Sequence, residues 1–355
     1  MRTTLPTRQL GTTDMNITRV GFGAWATGGG GWAYGWGPQD DTDSIAAMIH
    51  AVELGVNWID TAAVYGLGHS EDIVGKFLKR RPESERPYIF TKCGLVGDPK
   101  NPMKDAQRIL RPESIRQECE ASLRRLGVER IDLYQFHWPD DATGTTVEES
   151  WRAMIQLVEQ GKVRAPGVSN FDASMLRRID ALHHVESLQP PFSLINRDAA
   201  ASEIPWCNAH RTGVICYSPM QSGILTDTFS TDRVRRMAPD DWRARSPRFQ
   251  SPHIEKSVKL RDALKPIAER HGTKVSAVAV AWTLAWPAVT GAIVGARTPE
   301  QVDGWIGAAQ LSLTPSDLDD IAMAIEKTSA GSGPTRPPRA RASMAETSAQ
   351  PLEAR

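Results

Sequence analysis

The segments VNWID (residues 56–60), YIFTK (88–92) and IDLYQFH (131–137) decide how this chain reads. Each is a short run of apolar, β-branched and aromatic residues with the composition of a buried strand. Each also ends in an ionisable side chain, respectively Asp60, Lys92 and His137. Working outward, five more runs of the same kind appear at 19–23, 163–168, 187–189, 214–217 and 289–294. Longer amphipathic segments lie between them. The clearest starts at Arg111-Pro112-Glu113, with proline near the first turn and a carboxylate at the positive helix end. Ile115, Cys119, Leu123 and Leu126 then share one face, and Gly127 stops the helix. Eight strands alternating with helices predict an α/β fold, a (β/α)8 TIM barrel over residues 1–327. Residues 7–18, with Gly11 and Asp14-Met15-Asn16 between apolar positions, predict a β-hairpin ahead of the first barrel strand.

Some stretches break the rhythm. GGGGWAYGWG (28–37) is too rich in glycine for a helix and reads as a loop. Residues 226–253 are polar, carry Trp242 and Phe249, and read as a long loop over the active site. The arginines between 233 and 248 are either solvent-screened charge or part of a lid that touches substrate or cofactor phosphate. Pro166 has no N–H for a ladder, so the fifth run is expected to hold an irregularity. From residue 328 the chain is small, Pro- and Arg-rich and nearly without apolar residues, which predicts a disordered tail over 328–355. Gly21, Gly23 and Ala26 fit G-x-G-x-x-A, with Asp41 following at the spacing of a dinucleotide fingerprint. That reading is set aside, because the glycine-rich run that follows cannot open the helix such a site needs.

Composition narrows the partners. Forty-two basic and 42 acidic side chains cancel, so no broad basic field gathers nucleic acid or an anionic membrane. A small-molecule partner is expected. Cys93, Cys119, Cys207 and Cys216 show no C-x-x-C spacing and read as free thiols in a reducing compartment. The N-terminal residues lack the apolar core of a signal peptide, and no stretch reaches the roughly 20 apolar residues of a membrane span. The richest run, 275–289, reads as a buried helix. A cytoplasmic protein is the expectation, and the eight histidines show no metal-ligand spacing.

Active sites of such barrels gather at the C-terminal strand ends, where Asp60, Lys92 and His137 fall, with Tyr65 in the loop after the first of them. A carbonyl that accepts hydride needs a proton donor and positive charge near the developing oxyanion. Tyr65 can donate, and an ammonium at Lys92 is expected to lower its pKa. Asp60 would serve Lys92 as counter-ion, and His137 would orient the carbonyl oxygen or share the proton. The hydride requires a cofactor. A lysine ending a barrel strand also suits a Schiff-base aldolase, and that alternative stays open on these residues.

WIDTAAVYG (58–66), FTKCG (90–94), YQFHWPD (134–140), GVSNF (167–171), CYSPMQSGILT (216–226) and IVGARTPEQV (293–302) together resemble the signature segments of the aldo-keto reductases, in family order, over residues 9–314. The resemblance implies an NADP-dependent oxidoreductase with Asp60, Tyr65, Lys92 and His137 as catalytic tetrad and Tyr65 as general acid. It implies that Ser169, Asn170 and Gln189 hold the nicotinamide carboxamide and that Tyr217 stacks on the ring. Ser218, Pro219, Met220, Gln221, Ser222, Gly223 and Leu225 would follow the pyrophosphate, and Gly295, Arg297, Thr298 and Gln301 the adenosine end, with Arg297 suited to a 2′-phosphate. Gly23 and Trp25 would line the cofactor mouth, and Trp32, Tyr65, His137 and Trp138 the substrate side. Where the family often has Glu-Asn near the adenine, this chain has Gly304-Trp305. The branch it resembles holds broad-specificity bacterial reductases and potassium-channel β-subunits. The latter leave room for a non-catalytic, NADP-binding subunit that senses redox state.

Overall fold

The chain enters through the predicted hairpin, in which β1 (Thr7–Gln9) pairs antiparallel with β2 (Asn16–Thr18). The structure is a computed structural model and describes residues 4–338. Next come β3 (Val20–Gly23), β4 (Trp58–Asp60) and β5 (Tyr88–Cys93), then a small antiparallel pair, β6 (Leu95–Val96) with β7 (Gln107–Arg108). The strands β8 (Ile131–Phe136), β9 (Val163–Ser169), β10 (Ser187–Gln189), β11 (Gly213–Cys216) and β12 (Val289–Gly295) complete the set. β3, β4, β5, β8, β9, β10, β11 and β12 form a closed parallel barrel, sealed where β12 pairs with β3 through Gly295↔Gly23. The predicted (β/α)8 barrel is therefore what the chain builds.

Helices follow the punctuation read from sequence. Asp41–Glu53 is capped by the Asp40 carboxylate, which accepts from the N–H groups of Thr42 and Asp43. Pro112–Leu126 ends at Gly127 in the left-handed region, with φ 67°. Val275–Leu284 is buried along its whole length, and among the described residues no helix is long and apolar enough to cross a membrane.

The hairpin closes the N-terminal end of the barrel. Leu10, Met15 and Ile17 pack with the inward side chains Trp58, Phe90, Leu133, Ala165, Ile215 and Ile293. Trp58 fills the axis and donates its indole N–H to Thr18 O at 2.9 Å. A Cβ at Gly21 would stand 2.1 Å from that indole, so glycine is required there by packing inside the barrel. β3 is followed by the short 3-10 turn Ala26–Gly28, and no α-helix opens there.

The structure corrects three expectations. β9 runs through Pro166 without a break, with Tyr134↔Pro166 and Gln135↔Gly167 in register. Pro166 O accepts from Glu186 N, so the missing N–H faces β10 below the point where their pairing begins, at Gly167↔Ser187, and no ladder bond is lost. The register shift lies instead between Val214 and Ile215, where β11 meets β12. Residues 226–253 are more than a loop. They hold the helix Thr231–Arg235 and the 3-10 turns Trp242–Arg245 and Pro247–Phe249, around a small core of Ile224, Phe229, Phe249 and Ile254. The expected disordered tail begins as anchored chain. Ala330 is buried and Ser332 bridges to Asn196, because the buried Arg197 draws the carbonyls of Ala330 and Gly333 onto itself. The remainder of that expectation, 339–355, lies outside the described residues.

Candidate active site

Asp60 ends β4, Lys92 falls on β5, and His137 directly follows β8, so adjacent strands deliver all three to one end of the barrel. The loop after β4 turns at once, and Tyr65 opens a tight 3-10 turn in which Gly66, Leu67 and Gly68 all have positive φ. That turn brings the phenol back over the strand ends. The Lys92 ammonium donates to Asp60 Oδ1 at 2.5 Å and to Thr61 O at 2.8 Å, and reaches the Tyr65 hydroxyl at 3.5 Å. The second carboxylate oxygen of Asp60 accepts from Gln189 Nε2 at 2.9 Å and from Gln135 Nε2 at 3.3 Å. The His137 ring stands edge-on to Tyr65, centroids 5.7 Å apart. The four residues thus form one connected chain of contacts, Asp60–Lys92–Tyr65–His137.

The electrostatics differ from the expectation. Burial pushes the Tyr65 phenol well above its usual range, and the nearby Asp60 charge pushes the same way. The Lys92 ammonium, bonded to Asp60 and Thr61, does not offset that burial. Burial lowers Lys92, with Asp60 opposing. Burial likewise holds His137 well below the usual imidazole range, reinforced by the Lys92 charge. The site therefore presents a protonated phenol and a neutral imidazole above a nearly neutralised ion pair.

Two cavities meet over this group. The first, about 400 Å³, runs from Asp60 and Tyr65 past Tyr217 to Trp305. Of the residues expected on a cofactor, Gly23, Trp25, Gln189, Tyr217, Ser218, Pro219, Met220, Ser222, Gly223, Gly295, Arg297 and Gln301 line it. Three do not. Leu225 is fully buried core, Gln221 turns inward, and Thr298 precedes the short helix Pro299–Asp303 without reaching the cavity wall. Trp36, Phe229, Arg233, Arg243, Lys274 and Ser276 line the same cavity and were not on the expected list, although the arginine-rich stretch had signalled the lid.

The second cavity, about 690 Å³, is bounded by the expected Trp32, His137 and Trp138 and also by Tyr34, Asp105, Arg108 and Asp141. Ser169 and Asn170 open onto it. Asn170 donates to His137 O at 2.9 Å and accepts from the Tyr217 hydroxyl at 3.0 Å, while Ser169 donates to Gln189 O. Trp25, Tyr65, Gln189 and Tyr217 belong to both cavities.

The first cavity has features of an anion-binding dinucleotide cleft. Ser218 and Ser222 on its wall, and Gln221 between them, carry positive φ without being glycine, a strain that gathers at ligand sites. Arg233, Arg243 and Arg297 crowd one another: burial depresses Arg233 and Arg297 first, and the neighbouring Arg243 charge adds to it. Arg297 is occupied by the glycine-rich loop, donating to Gln39 Oε1 at 2.5 Å and to the carbonyls of Pro38 and Trp36. Trp305 is buried, and its indole N–H has no protein partner. The lid folds across: Trp242 N donates to Gly35 O, Arg245 to Ala33 O, and the Trp242 ring stacks on Trp25 at 5.3 Å. Among the described residues no group of three His, Cys, Asp or Glu side chains is placed to hold a metal ion.

Comparison with known proteins agrees with this geometry. The profile of the Aldo/keto reductase family matches residues 19–326. An NADH-specific methylglyoxal reductase of Escherichia coli is 34% identical, over 90% of this chain and 98% of its own length. The aldo-keto reductase YhdN of Bacillus subtilis is 33% identical, over 89% and 92%. Among solved structures, a glycerol dehydrogenase of Gluconobacter oxydans superposes with TM-score 0.81 at 37% identity, covering 93% of this chain and 98% of that one.

Proposed function

The chain belongs to the aldo/keto reductase family, and from that premise we propose that it reduces a small aldehyde or ketone to the alcohol with NADPH, Tyr65 acting as general acid. The junction of the two cavities at Tyr65 carries this reading: a long cleft reaches the phenol from one side and a wide aromatic pocket from the other. The cofactor, when bound, supplies the hydride. Tyr217, Asn170 and Gln189 would hold its nicotinamide end, Met220, Ser222 and Gly223 its phosphates, and Arg297 with Lys274 its adenosine end. Arg233 and Arg297, next to the Asp241-paired Arg243, leave an excess of positive charge that supports the phosphorylated form. Because one relative is named NADH-specific, the affinity for NADPH is compared directly with that for NADH.

Tyr65 delivers its proton to the carbonyl oxygen as negative charge develops there, and His137, neutral, orients that oxygen by a hydrogen bond. Lys92 offers a cation 3.5 Å from the hydroxyl, which stabilises the phenolate left behind. Asp60 keeps the ammonium charged in a dry site. The same bonds count against a Schiff base, because Lys92 is buried and held between Asp60 and Thr61. Relatives named for methylglyoxal and glycerol point to short, oxygenated carbonyls, and Asp105, Arg108 and Asp141 give the pocket polar groups to meet them. Four free, buried thiols fit a reducing compartment such as the cytoplasm.

The test is NADPH oxidation across aldehydes, ketoses and quinones, with wild type and Tyr65→Phe. The variant should lose roughly 100-fold or more in kcat while its nucleotide affinity is kept. Equal rates for the two proteins would remove Tyr65 from its role. Tight nucleotide binding without turnover of any carbonyl would favour the non-catalytic redox-sensing reading.

A further inference from the structure

The segment leaving the helix Pro315–Thr328 crosses the barrel rim as a strap. Ser329 turns it at φ 50°. Ser332 N donates to Ile195 O at 3.2 Å, and Arg197 N donates to Ser332 O at 3.0 Å. The fit leaves no space, since a Cβ on Gly331 would stand 1.6 Å from Ile195 O. Beneath the strap the Arg197 guanidinium, 3% exposed, donates to the carbonyls of Leu194, Ala330 and Gly333. A buried cation held by carbonyls is costly when its acceptors leave, and the strap supplies two of the three residues that accept.

The loop held this way also braces the long cleft. Tyr217 N donates to Pro190 O at 3.0 Å, and Phe192 N to Tyr217 O at 3.1 Å. Ser193 Oγ accepts from Ile195 N and Asn196 N while donating to Gln221 Oε1 at 2.9 Å. Gln221 is 4% exposed with φ 48°, a conformation that persists only when its surroundings enforce it. Its neighbours Met220, Ser222 and Gly223 form the cleft wall.

We propose that Arg197 and the strap at 329–333 are positioning elements for the nucleotide: they fix the turn at 193–197, whose Ser193 hydroxyl locks Gln221 and so sets the backbone of 220–223. The proposal rests on the nucleotide reading of that cleft. Loosening the strap should weaken cofactor binding and leave the chemical step at saturation unchanged.

Full-length Ser193→Ala, Gly331→Val and their double variant test it, with NADPH dissociation constants from fluorescence titration, kcat at saturation and thermal melting. Ser193→Ala removes one hydrogen bond and should raise Kd about 3–10-fold with kcat within about 2-fold of wild type. Gly331→Val should raise Kd at least as much. The double variant should bind no more weakly than the worse single variant, because both break one relay. An unchanged Kd in Ser193→Ala overturns the proposal, as do fully additive losses, which would make the strap a general brace of the fold. If Gly331→Val does not fold, Arg197→Met takes its place. Wild type that binds no nicotinamide nucleotide would sink the cleft assignment itself, a result distinct from failure of the relay.

Discussion

Asp60 uses both carboxylate oxygens, one on Lys92 and one on the amides of Gln189 and Gln135, while burial governs the two titrating rings beside that pair. Burial raises Tyr65, so its proton is retained through neutral pH, and burial lowers His137, so its charged form appears only at low pH. Reduction rates should therefore show no inflection at the ordinary imidazole pKa of about 6.5 and should decline only on the alkaline side. A pH profile of kcat/KM checks this, and an acid-side break near that value, lost in His137→Gln, would refute it. Arg297 gives a second prediction. Because it already holds Gln39, Trp36 and Pro38, Arg297→Ala should both free the glycine-rich loop and remove a phosphate partner. We expect a loss in NADPH affinity of about 10-fold or more and a smaller loss for NADH. Equal losses would assign Arg297 to the loop alone.

At the level of elements, the eight strands were legible because parallel strands buried on both faces leave short apolar runs that few other elements imitate. The segment at 131–137 holds β8 over Ile131–Phe136 with His137 just beyond it, and the run at 187–189 is β10. Pro166 misled because sequence does not tell which neighbour a missing N–H faces. The 226–253 segment was legible as a cover but not as structure. Its core residues Ile224, Phe229, Phe249 and Ile254 follow no period, and its anchors, Gly35 and Ala33, lie some 200 residues away in the chain. Gly21 is a further case, since its letters suggested phosphate while its role is to admit Trp58. Gly21→Ala should destabilise the barrel by about 1–3 kcal/mol or more through overpacking, measurable as a lower denaturant midpoint, while a neutral result would mean Trp58 can yield.

Across the whole molecule, the hairpin closes one end of the barrel and both cavities open at the other, meeting at Tyr65. Asp60, Lys92 and His137 of the proposed tetrad could be found by rule, as polar residues at the ends of neighbouring strands, with Tyr65 in the loop after the first. The tryptophan group beside Tyr65 could not, because Trp25, which stacks on Tyr65, meets Trp36 and Trp242 only through packing between loops. Arg197 and the strap were hidden for the same reason: a composition poor in apolar residues reads as unstructured, although the buried guanidinium and the backbone bonds through Ser332 hold it.

That tryptophan group has an optical consequence. Trp25 and Trp242 lie nearly parallel at 5.3 Å, with Trp36 edge-on to Trp25 at 5.2 Å, close enough for their electronic transitions to mix. Two of these indoles also form the wall of the long cleft. The apoprotein should show a paired positive and negative band in ultraviolet circular dichroism that Trp242→Phe abolishes and that nucleotide reshapes. A spectrum untouched by both would mean the rings are not held together in solution. If the bands respond, the chain reports the filling of its own cleft without an added dye.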